Sequence, residues 1–149
     1  MKKDYEGLEK KYELPSFKEV NENFEIDKLD KDTDYVLRAI RKIMMEKIVN
    51  SMGFLEMLIN PVNAPRMYLS YVQGMDIEDR KAIDKIYSNL ADLSVLSLDL
   101  EIDSSEKEEG VLIKKVFKMW IDMKPSFRQI LANMKKPKNF VKKNREYFG

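Results

Sequence analysis

The feature that most constrains this chain is an unbroken helical rhythm from about Thr33 to Asn60. Val36, Ile40, Ile43, Met44, Ile48, Met52, Leu55 and Ile59 recur at steps of three or four, while Arg38, Arg41, Lys42, Glu46, Lys47 and Asn50 fall off that stripe. At a rise of 1.5 Å per residue the helix would be roughly 40 Å long, the full height of a small bundle. An apolar stripe of that length has to be covered by other elements, and the rest of the sequence offers helices to do it.

Tyr5, Leu8 and Tyr12 mark one face of a short helix that Leu14-Pro15 ends. Ser16-Phe17-Lys18-Glu19 has the form of a capping box, in which hydroxyl and carboxylate satisfy orphan backbone N–H groups, and it opens a second short helix carrying Phe17, Val20 and Phe24. Asp32 or Thr33 is expected to cap the long helix, and Asn60-Pro61 to stop it. After the loop Pro61-Val-Asn-Ala-Pro65, a short helix with Met67, Tyr68, Tyr71 and Val72 should end at Gly74. Asp76 then caps a second long helix, with Ile77, Ile83, Ile86, Leu90, Leu93 and Leu100 on its buried face.

Residues 96–103 alternate apolar and polar: Leu96, Leu98, Leu100 and Ile102 against Ser97, Asp99, Glu101 and Asp103. Alone this is a strand pattern, but no second strand is available to pair with it, so the segment is read as the continuing helix. Ser105 to Glu108 repeats the capping box before a helix holding Leu112, Val116, Met119, Trp120 and Met123, expected to end at Lys124-Pro125. A further helix with Phe127, Ile130, Leu131 and Met134 precedes Pro137 and a basic terminal stretch. The fold class is therefore all-α: one domain over 1–149, an irregular antiparallel bundle of about five to seven helices, two of them long. Short helices occupy 1–32, the core bundle 33–134, and a basic helix or tail 135–149.

Composition narrows the chemistry. The chain has no His and no Cys, which removes the usual general base, the soft metal ligands, the thiol nucleophile and any disulfide framework. Its five glycines, at 7, 53, 74, 110 and 149, are isolated, so no phosphate-cradling loop exists. Asp30-Lys-Asp32-Thr-Asp34 opens like a calcium-binding loop, but Tyr35 stands where the turn needs Gly and Arg41 where a bidentate Glu is required. Carboxylates at helical spacing occur at Glu19/Glu22, Asp92/Asp99/Asp103 and Glu106/Glu109, and such sets can hold Mg²⁺. In a chain that is 36% charged they are read as solvated faces, and no cofactor is expected.

The net charge of +1 hides a division. Residues 114–149 hold eleven basic and two acidic side chains, a net of +9, leaving sixteen against twenty-four, a net of −8, in 1–113. Lys135, Lys136, Lys138, Lys142, Lys143 and Arg145 lie among Phe140, Tyr147 and Phe148, a mixture able to neutralise phosphates and stack on bases. The competing expectation is that this end meets the chain's own acidic run from Asp99 to Glu109. Met45 and Met57 fall off the main stripe of the long helix and, if exposed, mark a second contact face suited to an adaptable partner.

The first expectation for function is a non-catalytic adaptor or complex subunit that binds a protein partner or itself. The alternative is a nucleic-acid-associated protein that binds backbone phosphates through Lys135 to Arg145, and a carboxylate-dependent Mg²⁺ enzyme is a distant third. No stretch approaches the roughly 18 apolar residues of a membrane span, and Met1-Lys-Lys-Asp-Tyr-Glu has no apolar leader core, so a cytoplasmic location is expected.

Overall fold

The computed structural model describes residues 1–29 and 33–136. Six α-helices follow one another: α1 (Lys2–Tyr12), α2 (Phe17–Phe24), α3 (Val36–Ile59), α4 (Arg66–Gly74), α5 (Ile77–Ile102) and α6 (Glu106–Met134). Short 3-10 turns stand at Ile26–Lys28 and Pro61–Asn63. Among the described residues there is no strand, and the protein is an all-α bundle.

Three long helices, not two, make the core. α3, α5 and α6 each pack on the other two. Cross-links fix their directions. Arg41 near the start of α3 meets Glu101 at the end of α5 and Glu109 at the start of α6, while Glu56 meets Tyr87 and Phe54 meets Phe127. α5 is thus antiparallel to its two parallel neighbours. α1 and α2 pack against the same core, and the buried apolar residues from Tyr5 to Ile130 form one contiguous cluster.

The third long helix exists because α6 does not stop at Pro125. Proline removes the N–H that would bond the Ile121 carbonyl and crowds the preceding turn, at about 3 kcal/mol. Pro125 lies on the exposed side, while beyond it Ile130 is buried and Phe127, Leu131 and Met134 are half-buried. Burying an apolar side chain contributes about 1.5–3 kcal/mol, so two or three of them outweigh the proline penalty.

Ser16, Asp76 and Ser105 cap their helices through side-chain oxygens that accept from the N–H three residues on, while, among the described residues, the returning carboxylate arms expected of Glu19 and Glu108 in the two capping boxes do not form. α3 departs from expectation: it begins after Tyr35 with no side-chain cap, Thr33 makes no capping bond, and Asp32 lies outside the described residues. Gly74 is the last residue of α4 rather than the residue beyond it. α1 and α2 close on Glu13 and Glu25, both left-handed at φ 55°, without the glycine that position favours. Ile59 and Ile77, expected on buried faces, are exposed at helix ends.

Candidate partner-binding face

The alternating run at 96–103 has a specific consequence once it is helical. A step of two residues turns a helix by about 200°, so alternate apolar residues fall on opposite sides. Leu100 is buried in the core and Leu96 lies beside it, lining a seam with Val111, Leu112 and Lys115 of α6. Leu98 and Ile102 project outward, 63% and 85% exposed, with Val95 at 65% and a half-buried Ala91 on the same line. Steps of four, three and four between Ala91, Val95, Leu98 and Ile102 are those of a helix seam. α5 therefore has two apolar faces, one used in the core and one bare.

The surroundings of this ridge are acidic. No Lys or Arg occurs from Ile86 to Glu106. Asp84 stands in line with the ridge beyond its Ala91 end, Asp92 and Asp99 lie along the side facing α6, and Asp103 follows the last residue of the helix; all four are exposed. Among the described residues none of these four aspartates forms an ion pair, whereas Glu101, on the α3 side, is held by Arg38, Arg41 and Lys42.

Directly behind the ridge is the polar centre of the bundle. Arg41 is 1% exposed and Glu109 2%. Arg41 Nε donates to Glu109 Oε2 at 2.7 Å and Nη2 to Oε1 at 2.9 Å, a bidentate pair. Nη1 donates to Ser97 Oγ at 3.1 Å and to Glu101 Oε1 at 2.6 Å. The hydrogen bond from Arg41 and the neighbouring cations hold the Glu101 carboxyl below its ordinary range. Sequence reading put Arg41 on the wet side of α3; its i, i+3 and i+4 relation to buried Leu37, Met44 and Met45 was the signal available.

A second polar group lies where α2, α3 and α6 meet. Asn23 is buried, its amide donating to the Glu19 carbonyl. Its backbone carbonyl accepts from Lys47 Nζ and its Oδ1 from Lys124 Nζ. Lys47 Nζ also lies 5.0 Å from the Trp120 ring centroid. Burial, with Lys124 close by, pushes the Lys47 amine down.

The residues singled out from sequence separate. Met45 is not an exposed contact: it is 6% exposed, because the seam between α3 and α5 closes over it. Met57 is half-buried and lines a groove with Ile59, Val62 and Tyr87 at the end of α3. Lys135 and Lys136 are exposed at the end of α6, while Lys138, Phe140, Lys142, Lys143, Arg145 and Tyr147 lie outside the described residues. The acidic run expected to meet that basic end is engaged elsewhere in part: Glu106 accepts from Tyr12 and pairs with Lys11, and Glu101 and Glu109 pair with α3. Lys135 stands at the far end of the unbroken α6 from Glu106, roughly 43 Å away.

Among the described residues, no group of three or more Asp or Glu side chains is placed to hold a metal ion, and no helix is long and apolar enough to cross a membrane. These features define a helical bundle with an apolar ridge that is uncovered among the described residues. No family model, curated protein or solved structure matches the chain.

Proposed function

We propose that this chain is a non-catalytic helical adaptor or complex subunit that meets a protein partner through the outer face of α5. The observation that carries the reading is the bare ridge of Ala91, Val95, Leu98 and Ile102. Exposed apolar residues scattered singly are ordinary; four at seam spacing on one straight helix form a contact stripe. Covering Val95, Leu98 and Ile102 on binding contributes about 3–6 kcal/mol, enough to anchor a moderate interface. The test places a photo-crosslinking residue at position 98 and, as control, at exposed Lys81 in source cells. A discrete adduct from position 98 alone, lost when Val95→Asp is added, supports the reading. A chain that crosslinks nowhere along the ridge refutes it.

A second reading rests on Lys135 and Lys136, exposed and far from the paired acidic residues. In that reading the basic end binds nucleic-acid phosphates. Fluorescence anisotropy of labelled single-stranded and duplex probes tests it: affinity should fall steeply with salt and vanish in a variant ending at Met134. Binding that ignores salt or survives truncation rejects it.

A further inference from the structure

Resting on the proposal that α5's outer face is an interface, we infer that its occupant is an amphipathic helix of a different chain, with Lys or Arg flanking its apolar residues. The shape argument comes from spacing. Ala91, Val95, Leu98 and Ile102 form a single straight stripe about 17 Å long on a convex helix, which matches the i, i+3, i+4, i+7 ridge of another helix better than a strand or loop. The charge argument comes from what bounds the stripe. Asp84, Asp92, Asp99 and Asp103 are exposed and, among the described residues, unpaired. The cations nearby lie on the seams: Lys42 is engaged with Glu101, Lys115 lines the α5–α6 groove beside Asp99, and Lys85, Lys115 and Lys118 line it beside Asp92. A helix laid on the ridge with basic flanks sets its charges against the four aspartates.

The same geometry disfavours the other occupants. A second copy laid antiparallel on the ridge brings Asp92 of each chain toward Asp99 of the other, like charges along one side of the seam. The chain's own basic end starts from the wrong place. α6 returns antiparallel to α5, so Lys136 leaves near the first turns of α5, roughly 35 Å short of Ile102.

The test uses the full chain and two synthetic helical peptides with the same Leu ridge, one flanked by Lys and one by Glu, each labelled for fluorescence anisotropy. At low ionic strength the Lys-flanked peptide should bind at least tenfold more tightly than the Glu-flanked one, and the margin should shrink at high salt. Leu98→Asp should remove binding of both, and Asp92→Asn with Asp99→Asn should erase the preference while leaving ridge-dependent binding. Equal affinity for both peptides, still lost on Leu98→Asp, overturns the charge inference but keeps the interface. Binding of neither peptide, together with a ridge-dependent dimer in light scattering, assigns the face to a second copy. A gain in peptide affinity on truncation at Met134 assigns it to the chain's own end. Binding of the Lys-flanked peptide that survives Leu98→Asp overturns the interface reading itself. Circular dichroism of each variant, unchanged from the parent, excludes loss of fold as the cause.

Discussion

Replacing Arg41 by Met should be among the most damaging single changes in the bundle. It deletes a guanidinium that satisfies both carboxylate oxygens of Glu109, at 2.7 and 2.9 Å, in a place where Glu109 is 2% exposed. The remaining carboxylate is buried and, among the described residues, has no other side-chain donor, and stranding one member of a buried ion pair typically costs about 3–5 kcal/mol. For a chain of this size that is a fifth or more of a stability of about 5–15 kcal/mol. It lowers the melting temperature by about 6–20 °C at about 2–4 °C per kcal/mol. Glu109→Met should be less severe, since Arg41 keeps Ser97 and Glu101. The double variant should recover most of the loss, because an apolar pair of similar volume needs no desolvation of charge. Urea unfolding of the parent, both singles and the double closes the cycle, and a coupling of about 3 kcal/mol is expected. Singles that each cost under about 1 kcal/mol, or a double equal to their sum, would refute the claim that these charges are desolvated as a unit.

Glu101's carboxyl is held low chiefly by its hydrogen bond from Arg41, so its contribution is present above the ordinary value near 4.5 and is lost as pH falls through the lowered one. Urea midpoints should therefore drop below about pH 4.5, and Glu101→Gln should flatten that limb; an unchanged slope would count against the assignment. Pro125→Ala restores a backbone donor in mid-helix on an exposed face and should stabilise by up to about 3 kcal/mol, read as a higher melting temperature; a loss of stability would show that the chain depends on the break. Gly53→Ala adds a methyl with nothing within 4 Å inside α3 and should gain about 0.5–1 kcal/mol in urea unfolding. Gly110→Val, whose Cβ would already lie 3.4 Å from Tyr12, should instead destabilise, and equal effects at the two glycines would contradict the packing described.

Much of this fold is legible in the sequence because its signals are local. Ser16, Asp76 and Ser105 announce helix starts through a hydroxyl or carboxylate three residues before the amide it caps, and Pro61 ends α3 by simple sterics. What is missed depends on tertiary context. Pro125 reads as a terminator because its cost is local, whereas the gain from burying Ile130 and half-burying Phe127, Leu131 and Met134 on neighbouring helices is not. Arg41 reads as a surface residue because its partners lie 56 to 68 positions away. The α5 ridge was visible only as an ambiguity. Alternation at 96–103 looks like a strand, and only the absence of a partner strand makes it the mark of a helix with two apolar sides. Met45 failed as an exposed residue for a related reason: an off-stripe position on α3 is still inside when neighbours stand on both flanks.

The Arg41 junction also bears on which arrangement of the three helices is adopted. Ile40, Met44 and Ile48 recur so regularly that their stripe alone would accept α6 displaced by one turn, about 5.4 Å, with little change in apolar cover. The guanidinium would not. A slip of that size takes Glu109 out of its reach, strips that carboxylate of both its hydrogen bonds and leaves Arg41 with only Ser97 and Glu101 of α5 beside the apolar layers of Leu112 and Ile113. A buried ion pair thus works as an index mark: it adds little to the depth of the native well, yet it raises every neighbouring misalignment, so the correct register stands apart from its closest competitors.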